Sequence, residues 1–204
     1  MSDRVHIIST GTANLASVCA AIRRAGLEPV ITQDASEVAE SKLCILPGVG
    51  AFGAAMSKLR ANEIDKAIID RLHRGQSLLA ICLGFQLLLD ASEESLGVQG
   101  LGIARGTARR FSDMVRVPQL GWNLVRPLAG FASATSAGHA YFANSYRLTD
   151  PPPGWSIASA DYGGVFVAAM QLSPVILACQ FHPELSGAWG DALIGRWIEE
   201  ARRA

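Results

Sequence analysis

The stretch Ser77–Ala91, SLLAICLGFQLLLDA, decides the fold reading of this chain. Its first half, SLLAI, is a continuous apolar run without polar alternation, as expected of a parallel strand buried on both faces. Its second half, LGFQLLLDA, reads as a helix, so Cys82 falls at a strand-to-helix junction. A cysteine in such a run is ordinarily a small, inert core residue. The junction offers a second reading, because ligands bind at the carboxyl edge of a doubly wound sheet and a sharp turn there exposes a nucleophile. Gly84 allows the turn and helix to pack closely, and a helix N-terminus favours thiolate.

Working outward, strand-like runs occur at Val5 to Ser9, Glu28 to Thr32 and Leu43 to Leu46, and helical spacing at Leu15, Val18, Cys19 and Ile22. Further helical patterns lie around Ala54 to Leu59 and Ile64 to Arg74. Strands alternating with helices predict a parallel sheet covered on both faces. The second half changes character: Leu101 to Arg110, Tyr141 to Tyr146, Val165 to Gln171 and Val175 to Phe181 read as strands with few helices between them. An antiparallel extension of the sheet follows. Leu128 to Gly138 and DPPPG at 150–154 read as surface loops, and Trp189, Leu193, Ile194, Trp197 and Ile198 as an amphipathic closing helix.

The 204 residues suit one domain, 1–204, with a substantial core. Eighteen basic and eighteen acidic residues balance to zero, without a cationic cluster, which argues against nucleic acid and anionic membrane as partners. No apolar run is long enough to span a bilayer and the start is too polar for a signal peptide; a soluble, cytoplasmic protein is expected. Cys19, Cys44, Cys82 and Cys179 are scattered, as in a reducing compartment. Cys179 and His182 have a C-x-x-H spacing, but in a strand they face opposite sides, so no metal is expected.

A nucleophile needs a base and a group that orients the base. His182-Pro183-Glu184 follows the apolar strand VILACQ, and in an extended segment His182 and Glu184 project to one side. The carboxylate could then hold the imidazole in the tautomer that accepts the thiol proton. A polar turn that starts the last helix is the plainer reading of the same residues. The glycine loop LPGVGAFG, 46–53, follows the strand LCIL and could offer backbone amides to an oxyanion, with Leu83 as second donor, or be an ordinary turn. It lacks the Lys-Ser/Thr ending of a phosphate-binding loop.

Taken together, ILPGVGAFG, ICLGFQLL and CQFHPELSG, in this order, resemble the class I glutamine amidotransferases. GTANLASV (11–18), SEESLGVQGLGI (92–103), PQLGWN (118–123) and YFANSY (141–146) bring the likeness closest to the glutaminase subunits of imidazole glycerol phosphate synthases. The resemblance implies an α/β, flavodoxin-like fold with a central, mostly parallel sheet flanked by helices. It implies Cys82 as nucleophile, His182 as general acid and base, and Glu184 as its orienting partner. Gly50, Gln86, Glu94, Ser145 and Tyr146 would hold glutamine, and Val49 and Leu83 would present oxyanion amides. No cofactor is implied.

The implied partner is a (βα)8-barrel cyclase, forming a heterodimer that receives ammonia through an interior channel for a step of histidine biosynthesis. Asn14, Trp122, Asn123, Tyr141 and Leu185 match the family's interface and gating positions, and the chain alone should be a poor glutaminase. Gln119 and Asn144 stand where the family usually has histidine, and Leu185 where it often has a cation, so coupling is more exposed to change than chemistry. Rival readings are a glutaminase serving another synthase, such as one in polysaccharide sugar amination, and a catalytically silent regulatory relative.

Overall fold

A computed structural model describes residues 4–11, 15–134 and 136–204, so Asn14 lies outside the described residues. In chain order the elements are β1 (Arg4–Ile8), α1 (Leu15–Arg24), β2 (Glu28–Thr32), α2 (Ala35–Glu40), β3 (Leu43–Gly48), α3 (Phe52–Ala61), α4 (Ile64–His73) and β4 (Leu78–Cys82). There follow α5 (Leu83–Leu87), β5 (Ala91–Ser92), β6 (Thr107–Arg110), β7 (Gln119–Pro127), β8 (Gly138–Asn144) and β9 (Tyr146–Arg147). The last are β10 (Ser156–Asp161), β11 (Val165–Ser173), β12 (Ile176–Cys179), a 3-10 turn at Pro183–Leu185 and α6 (Gly187–Arg203).

Nine strands form one sheet in the order β2-β1-β3-β4-β12-β11-β10-β7-β8. Pairings from β2 to β12 are parallel; those from β12 to β8 are antiparallel. β3, β4 and β12 are buried along their whole length, which is why they read as unbroken apolar runs. Their register pairs Gly48 with Cys82 and Ile81 with Cys179, so all three strands leave the sheet at one carboxyl edge. β5, β6 and β9 form a small separate sheet.

The buried Arg71 shows how the opposite edge is held. Its guanidinium donates to the Ser77 and Val38 carbonyls, each at 2.7 Å, and to Ser41 Oγ at 3.1 Å, tying α4 to the end of α2 and the start of β4. A cation so buried persists only when its donors are satisfied. Trp197 fills the core beneath α6 and donates its Nε1–H to the Val175 carbonyl at 2.9 Å.

Two expectations are corrected. The helix after Cys82 stops at Leu87, because the carbonyls of Leu87, Leu88 and Leu89 accept from the amides of Leu101, Ile103 and Gly102 at 2.8–3.1 Å. The same contacts keep residues 101–106 out of a strand, leaving only Thr107–Arg110 of the expected Leu101 to Arg110. Among the described residues no helix is long and apolar enough to cross a membrane.

Candidate active site

Cys82 ends β4 with φ +54° and ψ −108°, a conformation that costs a non-glycine residue on the order of 1–3 kcal/mol. Its surroundings impose it. A Cβ at Gly84 would sit 2.0 Å from the Leu46 carbonyl oxygen, and one at Gly48 would sit 2.7 Å from Leu83 Cβ. The two glycines therefore let β3 and the elbow press together and turn the thiol out over the sheet edge. A five-residue α5 supplies little dipole, and the ionisable group that meets Cys82 in the pocket is a side chain.

That side chain is His182. Its backbone N–H donates to the Tyr141 carbonyl at 2.9 Å, fastening the segment beyond β12 to β8. Pro183 opens a 3-10 turn, not the extended segment expected, and this turn brings Glu184 Oε1 to 2.8 Å from His182 Nδ1. The other ring nitrogen is left for Cys82, which lines the same pocket. Burial works against the imidazolium, but the neighbouring Cys82 sulfur, and then the hydrogen bond with Glu184, outweigh it and push His182 from 6.5 to about 10. Glu184 Oε2 is buried with no hydrogen-bond partner among the described residues, so the imidazolium is the main compensation for that carboxylate. The Cys44 thiol is pushed up to about 11 by burial, and Cys179 is also raised, first by burial and then by Glu184.

In front of the elbow lies a pocket of about 190 Å³. It brings together Cys82 and His182 with Val49, Gly50, Leu83, Gln86, Glu94, Ser145 and Tyr146. Leu83 opens α5, where a helix's first amides have no acceptor of their own. Glu94 also holds the scaffold together, since its Oε2 accepts from the Phe52 amide at 2.6 Å while Ser95 Oγ accepts from Gly53, so two distant residues cap α3. Gln86 is more committed than a simple pocket wall, donating through Nε2 to Gln180 Oε1 at 2.9 Å and to the Tyr146 carbonyl at 3.3 Å.

Sequence reasoning passed over Gln180, whose Nε2 lies 3.9 Å from Cys82 Sγ, and gave Asn144 no place in the pocket it lines. Both stand beside recognised motifs, which is the signal that could have found them. Among the described residues, no group of three or more His, Cys, Asp or Glu side chains could hold a metal ion.

Of the expected interface residues, Trp122 is 57% exposed and meets Tyr141 edge-on, with ring centroids 6.2 Å apart. Leu185 is exposed as well, at 41%, and so is Leu120, at 65%, which was not among the expected residues and pairs with Ala143. Asn123 is instead turned to its own chain, donating to the Asp161 carbonyl at 2.8 Å. A second cavity, also about 190 Å³, shares Val49, Ala143 and His182 with the first and reaches Tyr141 and Leu185.

The model of the family "Glutamine amidotransferase class-I" matches residues 6–197. The chain is 40% identical to the imidazole glycerol phosphate synthase subunit HisH of Salmonella typhimurium, over 96% of this chain and 98% of that one. To HisH subunits of Thermus thermophilus and Symbiobacterium thermophilum it is 39% and 37% identical, over 95% of this chain and 95% and 92% of theirs. Among solved structures, a glutamine amidotransferase superposes with TM-score 0.77 at 19% identity, over 98% of this chain and 100% of that one, a likeness of fold. The chain belongs to the class I glutamine amidotransferase family and, within it, to the HisH subunits of imidazole glycerol phosphate synthase.

Proposed function

We propose that this chain, as one domain over residues 1–204, hydrolyses glutamine at Cys82, His182 and Glu184 and passes the ammonia to a (βα)8-barrel cyclase. In that synthase the ammonia is built into imidazole glycerol phosphate in the cytoplasm. The observation that carries the reading is the buried line from Glu184 through His182 to Cys82, set at a strained elbow over a pocket that also holds the expected glutamine ligands.

The Cys82 thiolate attacks the carboxamide carbon. A carbon–sulfur bond forms and the carbonyl electron pair moves to oxygen, which accepts hydrogen bonds from the amides of Leu83 and Val49. The His182 imidazolium gives its proton to the nitrogen, the carbon–nitrogen bond breaks, and ammonia leaves a glutamyl thioester. Water then adds to the thioester, its proton passing to His182; the carbon–sulfur bond breaks, and glutamate departs from the restored thiolate. Glu184 stays ionised throughout and holds the ring by Nδ1.

The second cavity supports the transfer step, since it runs from His182 to Tyr141 and Leu185, next to the exposed Leu120 and Trp122. An apolar face with an aromatic anchor suits a protein partner.

Glutamate release tests the reading, measured with and without the cyclase and its nucleotide substrate. Release should be slow alone and rise in the complex, and Cys82→Ala should abolish it. No glutamate in either condition, or full activity in Cys82→Ala, would sink the proposal. A covalent glutamine analogue should label Cys82, which lines the pocket, and leave Cys19, Cys44 and Cys179, which do not, untouched.

A further inference from the structure

Gln180 is fully buried one residue beyond β12, between the nucleophile and the Ser145–Tyr146 segment. The direction of its amide follows from its neighbours. Gln86 Nε2 can only donate, so the group 2.9 Å from it must be the oxygen of Gln180, and the Gln180 nitrogen is turned to the sulfur. Gln86 cannot reverse either, because the same nitrogen donates to the Tyr146 carbonyl, which can only accept. Asn144 Nδ2 supplies a second donor to that carbonyl at 2.9 Å. The chain of groups from Tyr146 to Cys82 thus has one consistent orientation.

We propose that Gln180 is a further catalytic residue of the glutaminase reaction, holding an N–H on the Cys82 sulfur in a direction dictated by Gln86. The inference rests on the glutaminase reading above. At 3.9 Å the contact is long for a neutral thiol, but an ionised acceptor shortens such a bond and about doubles its strength. The donor therefore acts twice: on the thiolate before attack, and on the sulfur as the carbon–sulfur bond of the second tetrahedral intermediate breaks and the electron pair returns to it. Gln180 neither gains nor loses a proton in these steps. Gln86 acquires a second role, as the residue that aims this donor while it lines the glutamine pocket.

The test is the pH profile of Cys82 alkylation by iodoacetamide, read by mass spectrometry, together with glutamate release by the cyclase complex. Gln180→Glu keeps an acceptor for Gln86 but removes the N–H; Gln180→Met removes both, so a folding failure in one leaves the other. In either variant the profile should move to higher pH, with the alkylation rate at pH 6 roughly tenfold lower. kcat for glutamate release should fall by about tenfold or more while KM changes far less. A folded variant with the wild-type alkylation profile overturns the proposal. Absence of glutamate release by the unmutated complex would instead remove the reaction itself, a failure visible before any variant is made.

Discussion

Glu184→Gln is the sharpest perturbation of the site, because it removes a charge while nearly preserving shape. In the wild type, Cys82 and Glu184 together overcome the burial that disfavours the imidazolium and raise His182 to about 10. At about 1.4 kcal/mol per tenfold in proton affinity, their combined effect exceeds burial by several kcal/mol. Loss of one nearby opposite charge should lower that affinity roughly 10- to 1000-fold, bringing the His182 titration down from about 10 toward neutrality. The glutamine amide can also donate to Nδ1, which puts the ring proton on the wrong nitrogen; in a serine triad such a change costs about 10⁴ in kcat. A thiolate depends less on the base than a serine does, so a loss of roughly 10²- to 10⁴-fold is expected here. Imidazole NMR titration and partner-stimulated glutamate release read the two effects. Stability adds a third. The folded protein holds the His182 proton more tightly than the unfolded chain does, so this contribution is complete below pH 6.5 and is lost as pH rises to about 10. Denaturant titrations at pH 6 and 10 should show Glu184→Gln losing less stability over that window than the wild type. A variant with kcat within about threefold of wild type and an unmoved His182 titration would refute the reasoning.

Other perturbations address the elbow, the partner face and the scaffold. Gly84→Ala drives a Cβ to 2.0 Å from the Leu46 carbonyl; about 1–3 kcal/mol of stability should be lost, with slower labelling of Cys82, and an unchanged urea midpoint would contradict the packing account. Trp122→Ala should weaken cyclase binding roughly 30-fold by calorimetry without altering the melting temperature of the free chain; unchanged affinity would move the interface elsewhere. Arg71→Ala leaves the Ser77 carbonyl without its buried donor and takes the shorter of two donors from the Val38 carbonyl, which keeps Ser41 Oγ at 3.2 Å; urea denaturation should show a loss of about 3 kcal/mol or more.

The parallel half of the sheet was legible because β3, β4 and β12 are buried on both faces and so carry unbroken apolar runs. The antiparallel half was less so. β10, Ser156–Asp161, is built of SIASAD, whose small side chains carry little strand preference; its neighbours β11 and β7 supply the pairing. β7 carries Gly121 at φ +130°, a weak strand former, yet pairs with β8 in continuous register through it. The early end of the helix after Cys82 has a tertiary cause: Leu88, Leu89 and Ala91 favour its continuation, but the amides of residues 101–103 take the carbonyls of Leu87, Leu88 and Leu89. α2 had a local signal that went unused, since Asp34 accepts from the amides of Ser36 and Glu37 as a helix cap does.

Within the candidate site, Cys82, His182 and Glu184 stood out in the sequence because side chains of these types are able to do chemistry wherever they stand, and each follows the end of an apolar strand. Gln180 carries none by itself. Its role depends on which end of an amide faces the sulfur and on the neighbour that holds it there, and neither is a property of the string CQFHPE. The register of a parallel pair decides it: β4 sets Ile81 beside Cys179, so the next residues, Cys82 and Gln180, emerge together at the sheet edge. A slip of one residue would reverse the faces of β12 and turn the amide away from the thiol. The apolar residues that lock that register, Leu177 to Ala178 against Leu79 to Ala80, therefore serve the chemistry as directly as the motif does.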